Sequence, residues 1–96
     1  MHAVARTYSG KGAKELFDLL ETSKADVEKA LRAVQGFVSY TLLRTADGGM
    51  SVTVADNKAG TDESLKTAQE WIAKNATGTN VGAPVVSEGT VIIHAT

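Results

Sequence analysis

Apolar residues recur with a helical period over residues 13–34. Positions about 100° apart on a helix bring one set of apolar side chains onto a single stripe: Leu16, Leu20, Val27, Ala30, Leu31 and Val34. Ser23 interrupts this stripe, and its spacing to Asp26 resembles an N-terminal cap, so one long helix and two abutting helices both fit. We predict one helix, because the stripe keeps its phase across Ser23, and we expect it to end at Gly36.

Strand-like stretches flank this helix. Residues 2–9, HAVARTYS, contain β-branched and aromatic residues and end at a glycine-rich breaker. Residues 37–45 and 50–56 predict a hairpin, with Asp47-Gly48 as its two-residue turn. GTVIIHAT, residues 89–96, predicts a last strand, and the glycine-rich segment 77–89 before it predicts a loop.

A second amphipathic helix is predicted over residues 62–75. Thr61 suits its N-cap, and Asp62 and Glu63 suit the first turn of a helix because its amino end is positive. The apolar stripe of this helix consists of Leu65, Ala68, Ile72 and Ala76.

The resulting order, β-α-β-β-α-β, predicts a single α+β domain over residues 1–96 with the ferredoxin-like split β-α-β arrangement. Both helices would cover one face of an antiparallel sheet. Yet both sides of the hairpin strands stay apolar or small: Val38, Tyr40 and Leu42 on one side, and Phe37, Leu43, Met50, Val52 and Val54 on the other. A monomer would expose a large apolar face, so we predict a homodimer with two sheets facing each other. A hairpin register shifted by one residue would exchange the two faces.

Composition excludes several classes of function. A net charge of −1 provides no long-range field that would attract nucleic acid or an anionic membrane. The absence of cysteine excludes disulfides, thiolate nucleophiles and thiolate-bound metal centres. The first residues lack the apolar core of a signal peptide, and no later stretch is long enough to span a bilayer. We therefore expect a soluble, cytoplasmic protein without nucleic-acid or membrane partners.

Two segments resemble a known superfamily. They are Gly36-Phe37-Val38-Ser39-Tyr40 after the first helix and SLKTAQEWIAKN, residues 64–75, with Trp71. Together with the element order they resemble the dimeric α+β barrel proteins, and among these the small antibiotic-biosynthesis-monooxygenase-like proteins. The resemblance implies a homodimer whose facing sheets enclose a cavity, often with a small organic ligand. Some members are cofactor-free monooxygenases or heme-degrading enzymes.

The chain departs from the heme-degrading members at the residues that matter for their chemistry. Those members use an asparagine on the first strand and a histidine on the second helix. Here the first strand has no asparagine and the second helix has no histidine. We therefore do not transfer that site, and we expect neither a cofactor nor a metal.

Four residues are candidates for ligand contacts. Arg6 interrupts the first strand on the side of Val4 and Tyr8, where it can hold an anionic group or reach the rim as a surface arginine. Tyr40 and Trp71 each carry one polar group on a broad apolar body and can line a cavity, although plain packing is the favoured interpretation. His94 is the fourth candidate.

The two histidines lie near opposite ends of the chain. The first and last strands of this fold are antiparallel neighbours, so His2 and His94 can meet as a pH-sensitive pair or half of a metal site. Solvated histidines at frayed strand ends are the simpler interpretation.

Two functions remain open. The first is a dimeric protein that binds a small organic ligand without catalysing a reaction, since no acid–base or metal constellation is evident. The second is a cofactor-free monooxygenase or isomerase that acts on a small aromatic or polyketide-like substrate. In that case Arg6 would orient an acidic group, and Tyr40, Trp71 and His94 would supply polar contacts.

Overall fold

A computed structural model describes residues 1–96 as one antiparallel sheet with three helices. Its elements are β1 (His2–Ser9), α1 (Ala13–Thr22), α2 (Lys24–Arg32), β2 (Phe37–Thr45), β3 (Gly48–Ala55), α3 (Lys58–Asn75) and β4 (Val85–Thr90). The strand order is β2-β3-β1-β4, and every pair is antiparallel. This is the ferredoxin-like α+β arrangement, so the predicted fold class is confirmed. None of the helices is both long and apolar enough to cross a membrane.

The first helical segment is divided at Ser23, so the prediction of one helix is wrong. Ser23 has φ −103° and ψ 19°, outside the helical region, and it serves as C-cap of α1 and N-cap of α2. Thr22 and Ser23 are both weak helix formers, which explains a break at this place. Because only one residue is non-helical, the apolar stripe still faces the sheet, and Leu16, Leu20 and Val27 are all buried.

The hairpin turn lies one residue earlier than predicted. Thr45 pairs with Gly48, so the two turn residues are Ala46 and Asp47. The following Gly49 is required by packing, because a Cβ atom there would lie 2.2 Å from the buried ring of Phe17. Gly49 thus allows α1 to approach the sheet closely and is not part of the turn itself.

The third helix, α3, begins before its predicted start. Its N-cap is Asn57, whose side chain accepts a hydrogen bond from the backbone N–H of Gly60 at 3.1 Å. Thr61, the predicted cap, is instead fully buried in the first turn. Ala68 and Ala76 are buried as the predicted stripe requires, and Leu65 and Ile72 are half-buried.

The last strand also differs from the prediction. β4 covers residues 85–90, which the sequence assigned mainly to a loop, and the chain leaves the sheet after Thr90. The reason is the length of β1: His2 pairs with Thr90, and one further hydrogen bond joins Val91 N–H to the carbonyl of Met1. No strand remains for Ile92 and Ile93, which are 94% and 83% exposed.

The two faces of the sheet have different chemistry. Side chains of Val4, Arg6 and Tyr8 in β1 are buried on the helix side. Cross-strand pairing assigns the opposite, open side to Ala3, Ala5, Thr7, Ser39, Thr41, Leu43, Met50, Val52, Val54, Val85, Ser87 and Gly89. Of these residues, Val54 is already buried in the single chain, at 5% exposure. No residue of this open face is charged, although 22% of the chain is. Val38 lies in an irregularity of β2, which turns Phe37 to the helix side, against the prediction.

Candidate functional site

A narrow pocket lies between the helices and the sheet of a single chain. Twelve residues line it, and ten of them are hydrophobic. The lining combines sheet residues with residues from all three helices: Arg6, Tyr8, Phe17, Leu20, Val27, Leu31, Tyr40, Leu42, Ser51, Ala68, Trp71 and Ile72. We call this the helix–sheet pocket. It contains no carboxylate and no imidazole, so none of the usual general bases faces it.

Three of the four candidate residues meet in this pocket. Arg6, Tyr40 and Trp71 all line it, whereas we expected their cavity to lie between two facing sheets. The difference follows from the strand alternation: Arg6 shares its side with Val4 and Tyr8, and that side carries the helices. The small residues Ala3 and Ala5 occupy the open face instead.

Arg6 is the single charged residue of the pocket wall. It is 5% exposed, and its Nη2 donates a hydrogen bond to the hydroxyl of Tyr8. The guanidinium carbon lies 5.3 Å from the centroid of the Tyr8 ring, a cation–π contact. The Tyr8 ring in turn packs edge-on against Phe17, with ring centroids 6.1 Å apart. These aromatic contacts fix the arginine in place without neutralising its charge.

Tyr40 provides a neutral hydroxyl beside this charge. Burial raises the pKa of the Tyr40 hydroxyl, and the positive charge of Arg6 and the neighbouring Ser51 hydroxyl oppose that effect only in part. Tyr40 therefore stays protonated at neutral pH, where it can donate a hydrogen bond but cannot act as a base.

Trp71 closes the pocket from α3. Its indole N–H donates to the carboxylate of Asp26 at 3.1 Å, which ties α3 to α2. Asp26 is thus a partner of Trp71, whereas no side-chain cap bond from Ser23 is present at the start of α2. Because Trp71 is half-buried and is the only tryptophan, its fluorescence reports directly on this pocket.

The pocket adjoins a wider groove between α2 and β2. The groove has a volume of about 410 Å³ and shares Val27, Tyr40 and Leu42 with the helix–sheet pocket. Lys24 lies along the groove. The ion pair between Arg32 and Glu28, whose Nε and Oε2 atoms are 2.7 Å apart, also lies along it. The inner pocket itself has about 20 Å³ of free volume, enough for one water molecule. An organic molecule therefore enters only when the side chains at the mouth move.

The structure does not bring His94 into this pocket or next to His2. His94 follows β4 by four residues, beyond the last pairing of the sheet. His2 contacts other residues: its Nδ1 lies 2.8 Å from the Thr61 hydroxyl, and its Nε2 lies 3.6 Å from Glu88. No group of three metal-ligating side chains occurs in the chain. The pairing of His2 with His94 that neighbouring strands would allow does not form, because the last strand ends earlier than the sequence predicts.

Sequence reasoning missed two polar residues of the pocket, Tyr8 and Ser51. Tyr8 holds the guanidinium of Arg6, and Ser51 is the cross-strand partner of Arg6. The side chains of Arg6 and Ser51 contain the two buried polar atoms that have no hydrogen-bond partner, Nε and Oγ. Once the register of β1 against β3 is known, Ser51 follows directly from the position of Arg6.

No family model matches the chain, and no curated protein matches it either.

Comparison by structure finds several similar folds over nearly the whole chain. A putative antibiotic biosynthesis monooxygenase from Chloroflexus aurantiacus has a TM-score of 0.63 at 14% identity, covering 99% of this chain and 95% of that one. A monooxygenase from the gene ActVA-Orf6 of Streptomyces coelicolor, solved with nanaomycin D, has a TM-score of 0.63 at 18% identity, covering 99% and 89%.

A dimeric ferredoxin-like protein from an uncultured marine organism is equally similar, with a TM-score of 0.64 at 15% identity, covering 99% of this chain and 95% of that one. At such low identity the likeness shows the fold alone. The structures that this chain resembles are thus antibiotic-biosynthesis-monooxygenase-like and ferredoxin-like proteins, as its sequence pattern indicates.

Proposed function

We propose that this protein binds a small, largely apolar organic molecule in the helix–sheet pocket of each chain, without catalysing a reaction. The observation that carries the proposal is the composition of the pocket wall: ten hydrophobic residues surround one arginine and one serine. Apolar walls with a few polar groups are typical of small-molecule sites. The absence of a carboxylate or imidazole from the wall favours binding over acid–base catalysis.

The ligand would enter through the groove between α2 and β2. Leu42 lines both the groove and the inner pocket and is half-buried, so it occupies the mouth. Its neighbour Leu43 points to the open face and is 39% exposed. The two leucines therefore make a matched pair for testing the entry route.

Native mass spectrometry of freshly purified protein, followed by analysis of the released small molecules, tests the proposal. We expect an added mass of an organic ligand on the wild-type protein. Leu42→Phe should reduce the fraction of protein that carries this mass, because the larger ring obstructs the mouth, whereas Leu43→Phe should leave it unchanged. Equal loss in both variants, or none in either, contradicts binding in this pocket.

We further propose that the protein is a homodimer that buries the open face of the sheet. The support is the lack of any charged residue on that face, since soluble chains seldom leave an extended uncharged surface in water. A cytoplasmic location stays a prediction, which cell fractionation checks.

A cofactor-free monooxygenase or isomerase acting on a small aromatic or polyketide-like substrate is the second candidate. The buried charge of Arg6 favours it, because a cation in an apolar site stabilises the anion of an ionised substrate. Oxygen uptake with a panel of aromatic substrates tests the oxygenase. Arg6→Met should abolish turnover, whereas His94→Ala should retain it because His94 lies outside the pocket. An inert panel leaves binding as the function.

A further inference from the structure

The two unsatisfied buried polar atoms of this chain belong to the same pocket. They are Nε of Arg6 and Oγ of Ser51. These residues are also the two non-hydrophobic members of the pocket wall. They are paired across β1 and β3 on the helix side, and directly opposed residues of antiparallel strands have Cβ atoms about 5 Å apart. Two side chains on paired positions of the same apolar pocket therefore each carry a hydrogen-bond donor without an acceptor.

The charge of Arg6 is equally unmatched. All the ion pairs of the chain involve other residues. The acceptor that Arg6 does have, the Tyr8 hydroxyl, is neutral. An arginine that is only 5% exposed normally has a carboxylate or phosphate partner, because burying an isolated charge is costly. No residue of this pocket supplies one.

We infer that the ligand of the helix–sheet pocket is an organic carboxylate, with its acid group on Arg6 and Ser51 and its apolar body toward the groove. This inference rests on the proposed function. A carboxylate has two acceptor oxygens, which match one N–H of Arg6 and the hydroxyl of Ser51. Its charge compensates the buried guanidinium, and its apolar body contacts the hydrophobic wall.

The surroundings fit an anion in two further ways. Lys24 lies along the groove and takes part in none of the ion pairs, so it adds a positive charge on the entry route. Tyr40 is protonated at neutral pH and can donate a third hydrogen bond to the acid group. Because a carboxylate needs more room than the present 20 Å³, binding requires that Leu42 at the mouth moves outward. A single water molecule that bridges Arg6 and Ser51 is the competing occupant.

Titration with a charged and a neutral ligand of equal size separates these cases. Phenylacetate and phenylacetamide differ only in whether the end group is an anion, and quenching or enhancement of Trp71 fluorescence measures the binding of each. We expect phenylacetate to bind the wild-type protein about 10- to 100-fold more tightly than phenylacetamide, because hydrogen bonds to a charged group contribute more to binding than hydrogen bonds to a neutral one. Arg6→Met should remove this preference and keep the binding of phenylacetamide.

Stability of the variant provides the control. A buried unpaired charge replaced by an apolar side chain of similar length leaves a fold as stable or more stable, so Arg6→Met should unfold at the same or a higher urea concentration. Ser51→Ala is the second variant, and it should weaken phenylacetate by a smaller factor than Arg6→Met. If Arg6→Met does not fold, the test rests on Ser51→Ala. A preference of Ser51→Ala for phenylacetate over phenylacetamide that equals the preference of the wild-type protein overturns the inference.

The outcomes distinguish the two proposals. Equal binding of phenylacetate and phenylacetamide to the wild-type protein overturns the carboxylate and leaves the binding pocket intact. A preference for phenylacetate that persists in Arg6→Met overturns the role of Arg6. If neither compound alters Trp71 fluorescence and native mass spectrometry finds no organic ligand, the proposed function and the inference are both contradicted.

Discussion

Tyr40 makes the stability of this protein sensitive to alkaline pH. Burial raises the pKa of its hydroxyl, so the folded state favours the neutral form more strongly than the unfolded chain does. The stability that the neutral Tyr40 hydroxyl contributes to the folded state is fully present below about pH 10, the pKa of tyrosine in an unfolded chain. It is lost as pH rises from there through the raised pKa of the folded state, because the buried hydroxyl resists ionisation.

Urea unfolding at increasing alkaline pH checks this sign. We expect the wild-type protein to lose stability with rising pH more steeply than Tyr40→Phe, whose side chain does not ionise. Near neutral pH the two should respond to pH alike, because the hydroxyl is protonated in both the folded and the unfolded state. Parallel stability curves over the whole alkaline range would contradict a buried Tyr40.

The sequence identifies most of the pocket residues that carry polar groups, but not the face of the sheet on which the pocket lies. Arg6 stands out in an apolar strand, and Tyr40 and Trp71 stand out as amphipathic side chains. The sequence leaves open which side of β1 the helices cover, because Ala3, Ala5 and Thr7 are also compatible with burial. The size of the side chains determines which side of β1 the helices cover: Val4 and Tyr8 fill the space under the helices, while the smaller residues remain on the open face. Ser51 has no distinguishing signal before the register is known.

At the level of elements, Gly49 sets how closely α1 packs on β3. A methyl group added there would meet three atoms of the Phe17 ring at 2.2 to 2.5 Å, and Phe17 is only 3% exposed. We expect Gly49→Ala to lower the free energy of unfolding by about 1–3 kcal/mol, the usual cost of overpacking a core. Urea unfolding measures it.

Gly82, in the exposed loop before β4, offers the control for the same substitution. A Cβ atom at Gly82 meets nothing within 4 Å. Gly82→Ala should therefore be neutral or stabilising by less than about 1 kcal/mol, since alanine restricts the unfolded chain more than glycine does. Comparable destabilisation by both variants would show that the contact with Phe17 does not determine the effect of Gly49→Ala.

Element types were easier to predict than element ends. The apolar periodicity specifies the helices and the hairpin because it records which side chains are buried. The end of β4 depends on a different quantity, the number of residues that β1 can pair with. Ile92 and Ile93 have strong β propensity, yet β1 offers them no partner after His2. Similarly, Ser23 ends α1 through its local backbone angles without disturbing the apolar stripe.

At the scale of the whole molecule, a single chain exposes more surface than its mass requires. Its accessible area is 5856 Å², whereas a compact monomer of 10.0 kDa exposes about 5,200 Å². The open face of the sheet and the segment with Ile92 and Ile93 contribute to this excess. Both features are uncharged, and a second copy that packed against the sheet would cover the open face. The excess area therefore supports the proposed homodimer independently of the helix–sheet pocket.

Val52 lies within the open face, on β3, which is one of the two inner strands of the sheet. We expect Val52→Arg to convert the proposed dimer into a monomer, because a guanidinium between two facing sheets would be buried without a partner. Light scattering coupled to size-exclusion chromatography measures the mass. Gln69→Arg, at an exposed position of α3, introduces the same side chain away from the sheet and should leave the mass unchanged. A wild-type protein of monomeric mass would contradict the interface directly. The helix–sheet pocket would survive that result, since every residue that lines it comes from one chain.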